Sequence, residues 1–169
     1  MKQELRVAAY AVCVRDDQVL LARWVARDGT RRWTLPGGGM EHAEDPVRTM
    51  VREVEEETGY LAEPTLLLGV DSDRQTWPRR SAAPVDGHAL RIVYEARITG
   101  GELRNETGGS TDLAAWHPLG AVPALPRIPL VDIGLDLWRE RPPVGRSRLT
   151  AGSGGGPADP ASPPRTPNG

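Results

Sequence analysis

The chain has 169 residues, of which 38% are hydrophobic and 26% charged, and its formal net charge is −2. This balance is typical of a single folded domain and gives no reason to expect a protein that binds nucleic acid or membranes. The single cysteine, Cys13, excludes an intrachain disulfide, and no segment approaches about 18 consecutive apolar residues, so we expect a cytoplasmic protein.

Two apolar runs near the N-terminus predict a β-hairpin. The run LRVAAYAVCV lies before Asp16 and Asp17, and the run QVLLARW follows them. A short strand, RRWTLP, then leads into three consecutive glycines, Gly37 to Gly39. Each glycine costs roughly 0.5–1 kcal/mol inside a helix or strand, so the bare backbone must serve a purpose here.

The stretch from about Asp45 to Thr58 predicts a helix. Asp45 suits the N-cap, Pro46 the first helical position and Gly59 the C-cap. Apolar residues follow at helical spacing, at Val47, Met50, Val51 and Val54.

Three glutamates of this helix, Glu53, Glu56 and Glu57, fall on one face away from the apolar stripe. Like charges at this spacing repel each other by a few tenths of a kcal/mol per pair. Two interpretations remain open from the helix alone: a solvated acidic face, or a site for a hard divalent cation such as Mg²⁺, which prefers oxygen ligands.

Further strands are predicted at PTLLLGV, ALRIVYEARI and DLAAWHPL, with a long loop over residues 73–87 between the first two. The segment IPLVDIGLDLWRE has helical periodicity. Together these elements indicate one mixed α/β (α+β) domain over residues 1–140. The last 29 residues contain seven prolines, six glycines and no aromatic residue, which predicts a disordered tail over 141–169.

The spacing of charged residues around the helix carries a more specific signal. From Gly38 the sequence has five residues before Glu44, seven more before Arg52, and then reads REVEEETGY up to Tyr60. This resembles the signature of the Nudix hydrolases, G-x5-E-x7-R-E-U-x-E-E-x-G-U, where U is a bulky aliphatic residue. All charged and glycine positions match, and only Tyr60 departs, at an aliphatic position.

The resemblance implies a Nudix-type α/β/α sandwich with a mixed central sheet and a catalytic loop-helix-loop, with the three glycines in the first loop. It implies metal-dependent hydrolysis of the diphosphate linkage of a nucleoside diphosphate derivative, by water attack on phosphorus. By resemblance, Mg²⁺ or Mn²⁺ would be bound at Gly38, Glu53, Glu56 and Glu57.

The same resemblance suggests roles for other residues. Arg52 matches an arginine that orients the glutamates. The general base is a glutamate of the signature in some relatives and an acid on a later loop in others. We favour Glu106 over Glu95 and Glu102 for that role. Substrate-binding positions would be Arg23, Gly37, Gly38 and Trp77.

The partner implied is a small-molecule nucleotide diphosphate substrate, with neither nucleic acid nor membrane, and a homodimer is left open. A different class of function is a non-catalytic Nudix-like module that binds or senses a nucleotide. Loss of signature carboxylates would mark such a module, and none is lost here. No downstream motif identifies the substrate.

Overall fold

In a computed structural model, which describes residues 1–78 and 83–150, two four-stranded β-sheets lie between two helices. The strands are β1 (Gln3–Val12), β2 (Val14–Arg15), β3 (Gln18–Val25), β4 (Arg31–Thr34), β5 (Gly37–Gly39), β6 (Tyr60–Trp77), β7 (Val85–Gly101) and β8 (Thr111–Pro118). The helices are α1 (Pro46–Thr58) and α2 (Pro129–Glu140), with a 3₁₀ turn at Leu119–Ala124 before α2.

The first sheet has the order β5-β1-β7-β6, and it is mixed because β1 and β7 run parallel while the other neighbours are antiparallel. In the second sheet β3 pairs with β2, β4 and β8. Two apolar clusters form the core: Met50 of α1 packs with Ala11 of β1, and Leu137 of α2 packs with Val12 of the same strand. Successive residues of β1 thus face different helices, which confirms the predicted α/β/α sandwich.

Of the predicted N-terminal hairpin, only the part next to the turn at Asp16 and Asp17 is formed. Asp16 and Asp17 both have positive φ and connect Val14–Arg15 to β3, as in a two-residue hairpin turn. The main part of the first apolar run is β1, which pairs with β5 and β7 rather than with β3. The prediction of one hairpin was wrong for this part, because a strand buried on both faces carries no alternation that identifies its neighbours.

The long loop predicted over residues 73–87 is also wrong for most of its length. Strand β6 continues to Trp77 and β7 begins at Val85, and the two pair antiparallel from Tyr60↔Gly101 to Trp77↔Val85, with register shifts only in the first half of β6. Residues 79–82 of the predicted loop lie outside the described residues. The alternation signal is missing here because both faces of this hairpin end are polar.

The prediction for the central helix is confirmed in detail. The Asp45 side chain accepts hydrogen bonds from the backbone N–H groups of Val47 and Arg48, Pro46 is the first helical residue, and Gly59 ends the helix with a left-handed φ of 77°. The helix predicted near the C-terminus is α2. Across the two described ranges, neither helix is long and apolar enough to cross a bilayer.

The first ten residues of the predicted tail, 141–150, are described and contact the domain. The Ser147 hydroxyl donates to the Asp136 carboxylate of α2 at 2.5 Å, and the Thr150 hydroxyl donates to Asp71 of β6 at 2.7 Å. Both carboxylate side chains are buried. Residues 141–150 of the predicted tail thus contact the domain, and residues 151–169 lie outside the described residues.

We expect a chain ending at residue 140 to be less stable than one ending at residue 150. The shorter chain lacks the donors to Asp71 and Asp136, and each buried carboxylate that loses a donor costs about 1–3 kcal/mol. Urea unfolding of both chains and of the full protein measures the difference. A chain ending at 150 should unfold like the full protein, and equal stability of the 140 and 150 chains would contradict the role given to this segment.

Candidate active site

A cavity of about 550 Å³ lies between the two sheets, at the end of the domain where β5 meets α1. Its wall from the first sheet consists of alternate residues of three strands: Arg6, Ala8 and Tyr10 of β1, Ala89 and Arg91 of β7, and Asp73, Gln75 and Trp77 of β6. Trp24, Arg32 and Thr34 contribute from the second sheet. The end next to α1 is formed by the three glycines together with Glu53 and Glu57.

The three glycines form a strand rather than the predicted loop, since β5 pairs antiparallel with β1 from Ala8↔Gly39 to Tyr10↔Gly37. Gly37 has a φ of 146°, which side-chain-bearing residues rarely adopt, and its N–H donates to the Glu57 carboxylate at 3.0 Å. A Cβ on Gly38 would lie 2.7 Å from the Glu53 carboxylate. The bare backbone therefore lets α1 bring two carboxylates against β5.

Glu57 is a buried acid, with a residual exposure of 4%. Burial raises its pKa to about 8, the hydrogen bond from Gly37 opposes that rise, and the charges of Glu53, Glu106 and Glu56 add to it. Burial also raises the pKa of Glu53, while Arg52 opposes the change. When Glu53 and Glu57 are both ionised, the protein therefore supplies too little positive charge nearby to balance them. This is the situation expected for carboxylates that bind a cation.

Arg52 connects the glutamates to the strand that carries the glycines. Its Nε and one terminal nitrogen bind the two Glu44 oxygens at 2.9 Å each, and the other terminal nitrogen binds Glu53 at 2.9 Å and Glu56 at 3.2 Å. The guanidinium also donates to the Gly39 carbonyl at 3.3 Å. The hydrogen bonds from Arg52 lower the pKa of Glu44 to about 2. Arg52 therefore holds the helix glutamates against β5.

The three helix glutamates do not converge on one point. Glu56 is half-exposed and its carboxylate is bound to Arg52, while Glu53 and Glu57 line the cavity. Within residues 1–78 and 83–150, no group of three His, Cys, Asp or Glu side chains has metal-binding geometry. Even so, the donor set suits Mg²⁺ or Mn²⁺, because it consists of oxygens only. Among the described residues, the Glu57 carboxylate accepts a hydrogen bond only from the Gly37 N–H, which leaves it able to bind a cation.

The charge of Glu106 contributes to the raised pKa of both Glu53 and Glu57, although Glu106 is not among the residues that line the cavity. One of its oxygens accepts from the backbone N–H and the hydroxyl of Thr111, at 3.0 and 2.6 Å. The competing candidate Glu95 is bound by Arg141 and Trp138 instead.

Arg23 is not among the residues that line the cavity. Its guanidinium binds both oxygens of Asp112, at 2.8 and 3.0 Å, and Arg31 binds the same carboxylate. Asp112 occupies a β-bulge, because Arg23 pairs with Leu113 and the next residue, Trp24, pairs with Thr111. The expectation that Arg23 contacts substrate phosphate has no support from this position.

Sequence patterns indicate the segment 71–87 as the source of substrate specificity but single out only Trp77 in it. They do not single out these lining residues: Arg6, Trp24, Arg32, Asp73, Gln75 and Arg91. Of the predicted substrate-binding residues, Trp77, Gly37 and Gly38 do line the cavity. The lining residues of β6 and of β7 are spaced two apart in the sequence. Had strands been predicted there, this spacing would have placed them on one face of the sheet.

A family model described as the NUDIX domain matches residues 4–134. The chain belongs to the Nudix family. The solved MutT NUDIX hydrolase from Burkholderia pseudomallei has the same fold, with a TM-score of 0.62 and 30% identity over 79% of this chain and 98% of that chain. The resemblance of the signature is thereby confirmed.

Two curated relatives of this Nudix protein act on different substrates. The 8-oxo-dGDP phosphatase of Mus musculus is 35% identical over 109 residues, which are 63% of this chain and 30% of that protein. The ADP-ribose pyrophosphatase of Methanocaldococcus jannaschii is 32% identical over 119 residues, 70% of this chain and 65% of that protein. The chain thus spans less than a third of the mouse relative and just under two thirds of the archaeal one.

Proposed function

We propose that this Nudix protein hydrolyses the diphosphate linkage of a nucleoside diphosphate derivative, with Mg²⁺ or Mn²⁺, by water attack on phosphorus. The observation that carries the proposal is that Glu53 and Glu57 face the same cavity as cationic and aromatic side chains. Such a cavity combines a cation site with groups that contact a phosphate and a base. Both named relatives act on phosphoanhydrides, which supports the proposed bond.

Glu53 and Glu57 would hold the metal, together with the Gly38 backbone and Glu56. The bound metal would supply the positive charge that polarises phosphoryl oxygens and lowers the pKa of the attacking water. Arg52 keeps Glu53 and Glu56 on the β5 side of the helix through its hydrogen bonds.

Glu106 would act as the general base and accept the proton of the attacking water. Its position supports this role in two ways. One of its carboxylate oxygens is held by Thr111, which lines the cavity, and its charge acts on Glu53 and Glu57. A base must lie within hydrogen-bond reach of the water, directly or through one intervening water.

The phosphates would lie between the metal and the cationic wall of the cavity. Arg6 is exposed, and its guanidinium packs against the backbone of Gly39. A Cβ on Gly39 would lie only 2.7 Å from the nearest guanidinium nitrogen. No hydrogen-bond or ion-pair partner of the Arg6 side chain occurs among residues 1–78 and 83–150. Its charge is therefore available to a diphosphate.

The other function class, a module that binds a nucleotide without cleaving it, has less support because the chain retains all carboxylates of the signature. The deciding experiment incubates the protein with Mg²⁺ and a panel containing nucleoside diphosphates, 8-oxo-dGDP and ADP-ribose. Release of nucleoside monophosphate or inorganic phosphate is followed. Binding of panel members with no product for any of them would favour the non-catalytic module.

Replacing Arg52 with lysine is expected to lower kcat/KM about 10- to 100-fold, the usual effect of losing a residue that orients metal ligands. A lysine keeps the charge but makes too few hydrogen bonds to hold Glu44, Glu53 and Glu56 together. Arg48→Lys is the matched control, since Arg48 is exposed on the same helix. Steady-state kinetics at saturating Mg²⁺ compare the two. Equal activity of both variants would show that Arg52 does not position the glutamates.

A further inference from the structure

The wall of the cavity farthest from the metal end is formed by strand β6. Asp73, Gln75 and Trp77 alternate along this strand and face the cavity, while Arg74 between them pairs with Asp86 on the other face. Strand β6 is three strands away from β5, or about 14 Å at the usual spacing. That distance is comparable with the length of a nucleoside diphosphate.

A buried ion pair fixes the position of Asp73. Asp71 is fully buried and Arg91 is 7% exposed, and the Arg91 guanidinium donates twice to one Asp71 oxygen, from Nε at 2.7 Å and from a terminal nitrogen. The other Asp71 oxygen accepts from Thr150. The remaining terminal nitrogen of Arg91 donates to Asp73 at 3.3 Å. The Asp73 carboxylate is thus held by a residue that cannot itself move freely.

This arrangement leaves Asp73 with an oxygen that can accept further hydrogen bonds. Its Oδ2 accepts from Arg91 and from the Gln75 amide at 3.1 Å, whereas no donor in the described ranges reaches its Oδ1. The Gln75 side-chain nitrogen donates to Asp73, which orients the amide and leaves its carbonyl oxygen as a second acceptor. The far wall of the cavity therefore offers acceptors, and it selects a ligand edge that carries donors.

We propose that Asp73 selects a guanine-type base in the substrate, an inference that rests on the proposed function. Guanine has two neighbouring donors on one edge, N1–H and the 2-amino group, which suit a carboxylate. Adenine has an acceptor beside its amino group, and uracil has carbonyls on both sides of its N–H. 8-Oxoguanine keeps the N1–H and 2-amino edge, so Asp73 binds both forms of the ring.

Trp77 gives the ring a surface to lie against. A Cβ on Gly87 of β7 would lie 2.1 Å from the Trp77 ring, so the indole rests directly on the backbone of the neighbouring strand. Trp24 approaches the cavity from the second sheet. Aromatic rings bind bases of every kind by stacking, so stacking contributes affinity while the Asp73 edge contributes selectivity.

The test compares GDP with IDP, which lacks only the 2-amino group, and with ADP, in wild type and Asp73→Asn. A good two-point contact with a base discriminates by about 1–3 kcal/mol, so wild type should prefer GDP over IDP by about 5- to 150-fold in kcat/KM. In Asp73→Asn this preference should fall to within about 3-fold, because the contact that recognises the 2-amino group is lost. 8-Oxo-dGDP should show the same dependence on Asp73. Asp86→Asn, on the outer face of the hairpin, is the control for loss of a carboxylate.

Binding of GMP and IMP, measured by calorimetry, tests the same preference without any hydrolysis. A lower Kd for GMP in wild type that is lost in Asp73→Asn supports the proposal, even if no diphosphate is cleaved and the proposed function fails. Equal Kd values for GMP and IMP in wild type overturn it, even if hydrolysis of nucleoside diphosphates is found. A thermal melt of Asp73→Asn verifies that the variant is folded.

Discussion

Replacing Glu57 with glutamine is expected to lower kcat by a factor on the order of 10² or more, which is typical of a lost general base or metal ligand. The substitution keeps the shape and lets the amide oxygen accept the hydrogen bond from Gly37. It removes the charge of a carboxylate that lies in the cavity and is almost fully buried. Glu53→Gln should have an effect of the same order, because Glu53 lines the same cavity.

Glu55→Gln is the matched control for these variants. Glu55 lies on the same helix but is exposed and is not part of the cavity wall. The kcat of all three variants is measured at saturating Mg²⁺, with melting temperatures to verify folding. If Glu57→Gln or Glu53→Gln turned over at a rate near that of Glu55→Gln, the assignment of the metal end of the cavity would be wrong.

Divalent cations are expected to stabilise the protein, and most strongly at alkaline pH. The pKa of Glu57 is about 8 in the folded state, mainly because of burial, against 4.5 without it. A raised folded-state pKa means that its stabilising contribution is complete below about pH 4.5 and is lost as the pH rises through about 8. In EDTA, the melting temperature should therefore fall between about pH 5 and pH 8 and change little above pH 8 through this group.

A metal ion reverses this trend, because it binds the ionised carboxylates and only in the folded state. At 100 times its Kd, such an ion adds about 2.7 kcal/mol to the free energy of unfolding. For a domain of this size the melting temperature should rise by several degrees. The measurement is a series of thermal melts from about pH 5 to pH 9 with EDTA, MgCl₂ or MnCl₂, and with NaCl of matched ionic strength.

Glu57→Gln separates the site from general effects of ions. In this variant the fall in melting temperature with pH should be smaller in EDTA, and the gain from Mg²⁺ or Mn²⁺ should be reduced. NaCl screens charges without coordinating them, so it should shift both proteins little. Equal shifts of both proteins in all three salts would mean that the acidic face is solvated and binds no metal.

Local patterns in the sequence determined the elements that depend on near neighbours. The caps at Asp45 and Gly59 and the apolar stripe of α1 require only residues within one helix, so the helix could be predicted with its ends. The charge spacing from Gly38 to Tyr60 led to the family, and through it to the glutamates and Arg52. In each case the chemistry is set by residues close together in the chain.

Contacts between distant segments decided the rest. Glu57 looked like one of three equivalent acids, and only the packing of α1 against β5 buries it while Glu56 stays half-exposed. Arg23 looked available, but β8 brings Asp112 to it. Residues 141–150 looked disordered by composition, yet their side chains donate to buried carboxylates of other elements.

The cavity wall formed by β6 shows most clearly that contacts between distant segments cannot be predicted from local sequence patterns. Asp73, Gln75 and Trp77 were assigned to a loop, because a strand that faces a polar cavity on one side and solvent on the other has no hydrophobic alternation. Their shared direction comes from pairing with β7, and the orientation of Asp73 comes from Arg91 on that strand. The sequence by itself therefore determined helix α1 and the family, whereas the cavity wall formed by Asp73, Gln75 and Trp77 depends on long-range strand pairing that only the tertiary structure contains.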